Sequence, residues 1–511
     1  MSTPGAIESH NPATLEPIGT VPETGTDAVG TVVAEVAAVT PLWAQLRVAD
    51  RARYLDRAAQ GIIDDFDEHC ELLVRESGRP RGEVAAFELL AAIDTLQWLA
   101  TNARRLLSAR AITLPRAIHP LKRASAGHAP LGVIAVIGAG SAPFATPITH
   151  AAAALLGGNG VVLKPAPRAS QAAEAIGRVL ARAGLPEGLV RVIHGHAALG
   201  TALAGDRGVA HVLFSGGRPA GGAVAAECAG RGVSATLDIA AGEAMVVLAD
   251  ANLDAAATGA LWAACAGAGQ LRGKVARIYV ERAAHEALTE RLVHVAGTLT
   301  LGDPLEHTTQ IGPLASAGRQ KRMTDAIASS LALGARQLCG RPQEIAGLAG
   351  AFYSPVVLSG SVDQLAALRD YVPGPLLGVT AVGDPVAAVA LEAGAELARG
   401  ASVWSADRRH AARIARELRP GVVWCNDHLV GPVLPRDGAA ALAACVSGKL
   451  ITWDPLAARP PWRQPYDEVG LRGLRALAAL HGTRPGDRER ALRDGAAPLA
   501  RVAGRALRSR G

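Results

Sequence analysis

The chain has 511 residues, 49% hydrophobic and 19% charged, a globular balance with length for more than one core. Its net charge of +6, from 52 Lys and Arg against 46 Asp and Glu, is spread along the chain and densest in the terminal "RALRSRG". That spread speaks for solubility and against a nucleic-acid footprint. Six cysteines (Cys70, Cys228, Cys265, Cys339, Cys425, Cys445) without a CxxC spacing argue against a metal site or disulfide framework and fit reduced thiols in a cytoplasmic protein.

The N-terminal "MSTPGAIESHNPATLEPIG" is polar and lacks the apolar core of a secretory signal. Residues 27–108 read as helices: Leu55, Ala58, Ile62 and Phe66 recur at steps of three and four, with Arg and Asp on the other face. From 133 to 248 short apolar runs alternate with Ala-rich helices: "GVIAVIG", "GVVLKP", "LVRVIHG", "VAHVLFSGG" and "AMVVLAD". Strands apolar throughout and separated by helices predict a parallel sheet covered on both faces. Residues 131–163 contain no Asp, Glu, Lys or Arg, the length of a membrane span, yet "GAGSAPFATP" and "GGNG" cut them into strand, loop, helix and strand. A buried core is the expectation, not a membrane segment. A second alternation over 275–425 ("VARIYVE", "YSPVVLSG", "LLGVTAV", "GVVWCND") predicts a second α/β core. Residues 456–511 turn Pro-rich and then Arg/Ala-rich with helical pattern, an appended segment.

Two glycine turns are candidates for binding chemistry. Gly138-x-Gly140 follows a strand but lacks the third glycine of a dinucleotide fingerprint, and a tight turn explains it equally well. In "HVLFSGGRPAGG" a strand ends at Phe214, and Gly216, Gly217 and Gly221 lead into a helix whose first N–H groups suit a phosphate.

The order of "NPATLEPIGTVP", "VRESGRP", "PLGVIAVI", "GGNGVVLKPAP", "AGLPEGLVRVIHG", "FSGGRPAGG", "DANLDAA", "IGPLAS", "GPLLGVT" and "GVVWCNDH", over residues 8 to 430, resembles the aldehyde dehydrogenase superfamily. The resemblance implies an α/β cofactor-binding domain from 1–115 and 133–237 and an α/β catalytic domain over 238–430. It further implies an oligomerisation element from 116–132 and 431–455, with 456–511 as an extension. NAD or NADP is the implied cofactor, and a homo-oligomer (dimer or tetramer) or a hetero-oligomer with an active paralogue the implied assembly.

Carried over residue by residue, the chemistry of the family is mostly replaced. The nucleophilic cysteine after Gly269-Gln270 falls on Arg272, a guanidinium that stays protonated and cannot attack a carbonyl. The general-base glutamate falls on Asp238, one methylene shorter, and the oxyanion-stabilising asparagine on Ser141. On the cofactor side, Lys164 matches the lysine that holds the adenosine ribose, and Gly216, Gly217 and Gly221 the pyrophosphate turn. The nicotinamide-side Glu-x-Phe-Gly-Pro has become Tyr371-Val372-Pro373-Gly374-Pro375, and the late Trp-Gly-Gly-x-Lys is missing from residues 434–443. Cofactor binding is therefore expected to be weak or lost. Cys265 reads as a buried apolar residue; Cys425 is the one thiol placed to substitute for the nucleophile, and no base for it is evident.

Three functions fit. The first is a catalytically silent homologue with a structural or regulatory role. The second is a working NAD(P)-dependent aldehyde dehydrogenase with relocated groups. The third is a binding protein whose Arg272 grips an anion, unless that arginine is a plug paired with Asp238 or Asp370.

Overall fold

The computed structural model describes residues 5–115, 122–395, 398–428, 436–454 and 467–508. They form two compact units, one drawn from 1–104 and 130–446, the other from 105–129 and 447–511. Of the expected oligomerisation element, residues 116–121, 431–435 and 455 lie outside the described residues, as do 456–466 and 509–511 of the extension and 434–435 of the altered late signature.

The first unit holds two α/β sheets. In the first, β1 (Val133–Ile137), β2 (Gly160–Lys164), β3 (Val190–Val192), β4 (Val209–Gly216) and β5 (Ala235–Ile239) lie in the order β3-β2-β1-β4-β5. All pairs are parallel, with Ile137 beside Lys164 on one side and Phe214 on the other. Helices α1 (Ala145–Gly157), α2 (Ser170–Arg182), α3 (Ala197–Gly205) and α4 (Arg218–Gly230) connect or follow the strands. Every residue of β1 and β2 is buried, which is why they read as continuous apolar runs. Helix α1 is buried on nearly all sides and ends at Gly158, whose φ of 95° only glycine adopts readily. Asn159 then accepts from the N–H groups of Leu131 (2.7 Å) and Gly132 (3.0 Å), tying the "GGNG" turn to the start of β1.

The second sheet contains β6 (Glu243–Val247), β7 (Val275–Glu281), β8 (Arg336–Cys339), β9 (Val356–Ser359), β10 (Leu376–Val382), β11 (Gly400–Trp404) and β12 (Val422–Cys425). Their order is β8-β9-β10-β7-β6-β11-β12, parallel except for the edge strand β8. The run "AMVVLAD", grouped by its rhythm with the first core, is thus a central strand of the second. The first sheet is completed instead by Ala235–Ile239, a strand whose half-exposed residues give no continuous apolar run. Helix α5 (Leu253–Gly269) leads into β7, α6 (His285–Thr298) follows it, and α7 (Ala317–Ala332) precedes β8. The α/β class with two mainly parallel sheets is the one expected.

Two helical segments, Thr26–Ala44 and Arg81–Leu107, are long and apolar enough to cross a bilayer. Both turn residues into the core, among them Val36, Trp43, Leu89 and Leu96.

The second unit carries a three-stranded sheet of Val446–Trp453, Arg123–Pro130 and Arg110–Ile112, in that order, with Leu450, Ile451 and Trp453 exposed. Its helices Glu468–Ala479 and Asp487–Arg508 pack on each other through Ala476 and Ala491, and Asp467 caps the first by accepting from the Gly470 N–H at 2.7 Å.

Candidate active site

Strand order in the first sheet reverses at β1, so the loops after β1 and β4 diverge and open a crevice at the carboxyl ends of the strands. A cavity of about 630 Å³ lies there, lined by Gly138, Ser141, Lys164, Gly216, Gly217 and residues of the second sheet's loops, Gln270, Arg272 and Tyr371. A second cavity of about 540 Å³ is lined by Thr149, His150, Arg399, Arg419 and Asp437. Thr146, Arg218, Asp238 and Arg272 line both, so Arg272 and Asp238 stand in the wall that the two cavities share.

Two loops carry Ser141 and Arg272, and one buried carboxylate–arginine network holds both. Glu88 accepts from the N–H groups of Phe144 (3.0 Å) and Ala145 (2.7 Å), which caps α1 and fixes the loop holding Ser141. Arg79 pairs with Glu88 and lies 3.4 Å from Glu83, which accepts from Gly267 N–H at 2.7 Å. Burial drives the Glu83 carboxyl upward, and Arg79 opposes it.

The loop bearing Arg272 is tightly wound. Gly267, Ala268 and Gly269 have φ of 60°, 52° and 68°, and Gly273 of 83°. The Gln270 side chain donates to Gly267 O (3.0 Å) and accepts from Ala315 N–H (3.0 Å) and the Arg319 guanidinium (2.8 Å). Lys274, 1% exposed, donates to the carbonyls of Val372 (3.0 Å), Gly374 (2.6 Å) and Leu376 (3.1 Å). Burial pushes that ammonium down to about 7, while three carbonyls, which can only accept, favour the charged form. Buried His428 adds contacts from its ring to Gly273 O (3.0 Å), Ser402 Oγ (2.9 Å) and Glu243 (3.4 Å).

Arg272 and Asp238 form an ion pair, their side chains 16% and 18% exposed. Arg272 also lies 3.9 Å from Asp437 Oδ2, the same oxygen that pairs with Arg399. Of the two partners expected for a plug, Asp238 is in place; Asp370 is exposed on the crevice wall. Nearby His150 is held down to about 4, first by burial and then by the Arg272 charge. No cysteine lines either cavity among the described residues. Cys265 is buried with its thiol pushed up to about 12, and Cys425 is exposed outside both cavities.

Lys164, nearly buried at the end of β2, donates to Pro165 O at 2.9 Å and is pushed down to about 8 by burial. A Cβ at Gly217 would meet nothing closer than 4.0 Å, so the N-terminus of α4 is open to the crevice. Gly221 is a packing glycine, since a Cβ there would overlap Ile239. These features fit the adenosine and pyrophosphate part of a dinucleotide. Tyr371, where the resemblance implies a ribose-binding carboxylate, instead donates its hydroxyl to Gln270 O at 2.8 Å. Ser141 lines the crevice beside this wall, a hydroxyl without the planar amide of an asparagine.

Sequence reasoning missed Asp437, Arg399, His150, Lys274, Arg168 and Arg319. Arg168 and Arg319 follow the landmark stretches "GGNGVVLKPAP" and "IGPLAS" closely in the chain; no residue pattern marked the other four.

The arrangement of a switch-point crevice facing a second α/β sheet defines an aldehyde dehydrogenase fold, and the sequence profile of that family matches residues 1–437. The chain belongs to the aldehyde dehydrogenase family. It is 30% identical over 429 residues to betaine aldehyde dehydrogenase 1 of Rhizobium meliloti, covering 84% of this chain and 87% of the relative. Among solved structures it is similar to an E. coli NADP-dependent enzyme (26% identity, TM-score 0.82, 88% and 95% of the two chains). A Corynebacterium glutamicum NAD-dependent benzaldehyde dehydrogenase shares the fold at 24% identity (TM-score 0.81, 88% and 95%).

Proposed function

We propose that this family member retains the adenosine half of an NAD(P) site and has lost thiol-based aldehyde oxidation, serving a structural or regulatory role. One observation carries the reading: the position after Gly269-Gln270 holds Arg272, paired with Asp238, and no thiol lines either cavity among the described residues. An arginine in that position can neither attack a carbonyl nor leave afterwards, and the paired Asp238 is not available as a base. Lys164 and the open N-terminus at Gly217 support residual binding of the adenosine half.

Calorimetric titration tests the cofactor part. ADP-ribose should bind about as well as NAD or NADP, because Tyr371 offers no ribose-binding carboxylate. Tight NAD binding with none of ADP-ribose would contradict the assignment.

A second reading is an active NAD(P)-dependent aldehyde dehydrogenase with relocated groups. Relatedness alone favours it, since the similarity to the betaine aldehyde dehydrogenase spans 84% of this chain. Robust turnover abolished by Cys425→Ala would establish it. Anion capture by Arg272 itself is less favoured, because Asp238 engages that guanidinium.

We place the protein in the cytoplasm as a homo-oligomer, dimer or tetramer, without nucleic-acid or membrane partners; an active paralogue is the alternative partner. The exposed Leu450, Ile451 and Trp453 on the strand Val446–Trp453 support association. Light scattering at micromolar concentration should give at least twice the 52.3 kDa chain mass, and a monomer would contradict this.

A further inference from the structure

The crevice is lined by six cationic side chains and two carboxylates, and one of those carboxylates, Asp238, belongs to Arg272. Three of the cations gather at the Gln270–Tyr371 wall. Arg168 follows β2; Arg319 and Arg322 lie three residues apart in the first turns of α7, which puts them on one helix face. Among the described residues, no carboxylate lies within ion-pair distance of Arg168, Arg319 or Arg322.

Arg168 and Arg319 are only partly engaged by the protein, and Arg322, which also lines the crevice, is exposed. Arg168 lies across Gly140, where a Cβ would overlap its Nε, so that glycine seats the arginine. Its Nε is buried and has no hydrogen-bond partner. Burial and the neighbouring Arg319 charge together push the Arg168 guanidinium down to about 9, so the wall holds like charges against each other. Arg319 uses one N–H on Gln270 Oε1 and keeps its other donors. Tyr371 spends its hydroxyl proton on Gln270 O, so the donors at this wall are guanidinium groups.

We propose that Arg168, Arg319 and Arg322 form an oxyanion site in the crevice, taking a ligand that carries a phosphate or carboxylate group. Guanidinium forks match both anions in geometry, and binding would relieve the repulsion among the three. The oxidised nicotinamide ring is a cation, so this wall disfavours it and favours an anionic group in the same space. The inference shares the crevice with the proposed cofactor reading but does not need the adenosine cradle.

The test uses the whole protein in thermal melts with inorganic phosphate or succinate at constant ionic strength, against native protein, Arg168→Gln and Arg322→Gln. At least one probe should raise the native melting temperature by about 2–4 °C at saturating concentration. The rise should fall by half or more in both variants, and the probe that acts names the source as phosphate or carboxylate. Without ligand, each variant should melt at or above the native temperature, because like charge has been removed. Equal shifts in native and variant proteins, no shift with either probe, or variants that melt lower would each overturn the site. ADP-ribose titration of the same variants separates the two claims. Retained ADP-ribose binding with lost anion stabilisation supports both, and lost ADP-ribose binding in the native protein contradicts the cofactor reading alone.

Discussion

Arg272 sets the charge that the centre of the site holds. The guanidinium ties together Asp238 and, more distantly, Asp437, and its charge reaches His150. The folded His150 titrates at about 4 against an ordinary 6.5. Above 6.5 it is neutral in both states. As pH falls from 6.5 to about 4 the unfolded chain takes a proton that the folded chain refuses, so folded stability is lost across that window and the loss levels off below it. The difference is on the order of 2 kcal/mol after allowing for water in the cavity that His150 lines. Chemical denaturation of His150→Gln between pH 4 and 6.5 should therefore give a flatter stability curve than the native protein; parallel curves would show that His150 titrates normally. Position 272 was legible from the Gly269-Gln270 pair beside it, and Asp238 was one of two partners that charge alone suggested. His150 and Asp437 were not legible, because their neighbours come from strands and helices far away in the chain.

The loop between α5 and β7 is held by close backbone packing and by a buried lysine. A Cβ at Gly269 would overlap the Gly374 carbonyl, Gly374 N–H donates back to Gly269 O at 2.9 Å, and Lys274 clamps three carbonyls of the same facing segment. Gly269→Ala combines a left-handed φ with a backbone clash, and should lower stability by roughly 3 kcal/mol or more. Urea melts check this; a change below about 1 kcal/mol would show that the loop yields readily. At this scale most strands of the two sheets, though not Arg336–Cys339 or the fully buried Gly400–Trp404, were legible as apolar runs, because burial on both faces leaves no polar alternation to obscure them. Their partners were less so. Glu243–Val247 read with the first core because an apolar run carries no record of which strand it will pair with, and Ala235–Ile239 went unread because half its surface is exposed.

For the whole molecule, the family fold is intact, and the proposed function rests on replaced reacting groups inside it. Fold and chemistry separate because different residues specify them: buried apolar strands, Gly158 and Asn159 build the first sheet and its crevice, while the proposed function turns on single crevice side chains at 141, 238, 272 and 371. The landmarks that identified the family are mostly of the first kind, which is why membership was plain in the sequence while the function had to be inferred. The two proposals, an adenosine cradle at Lys164 and Gly217 and an anion site at Arg168 and Arg319, both make this crevice a binding site. The most direct test is NADH or NADPH formation with aliphatic, aromatic and semialdehyde substrates, measured for the native protein and for Arg272→Cys. Loss of a covalent nucleophile costs about three or more orders of magnitude in rate, and the changes at Ser141 and Tyr371 compound it. Neither protein should turn over, although Arg272→Cys should label with iodoacetamide at its new thiol; turnover of any of these aldehydes by the native protein would contradict the account.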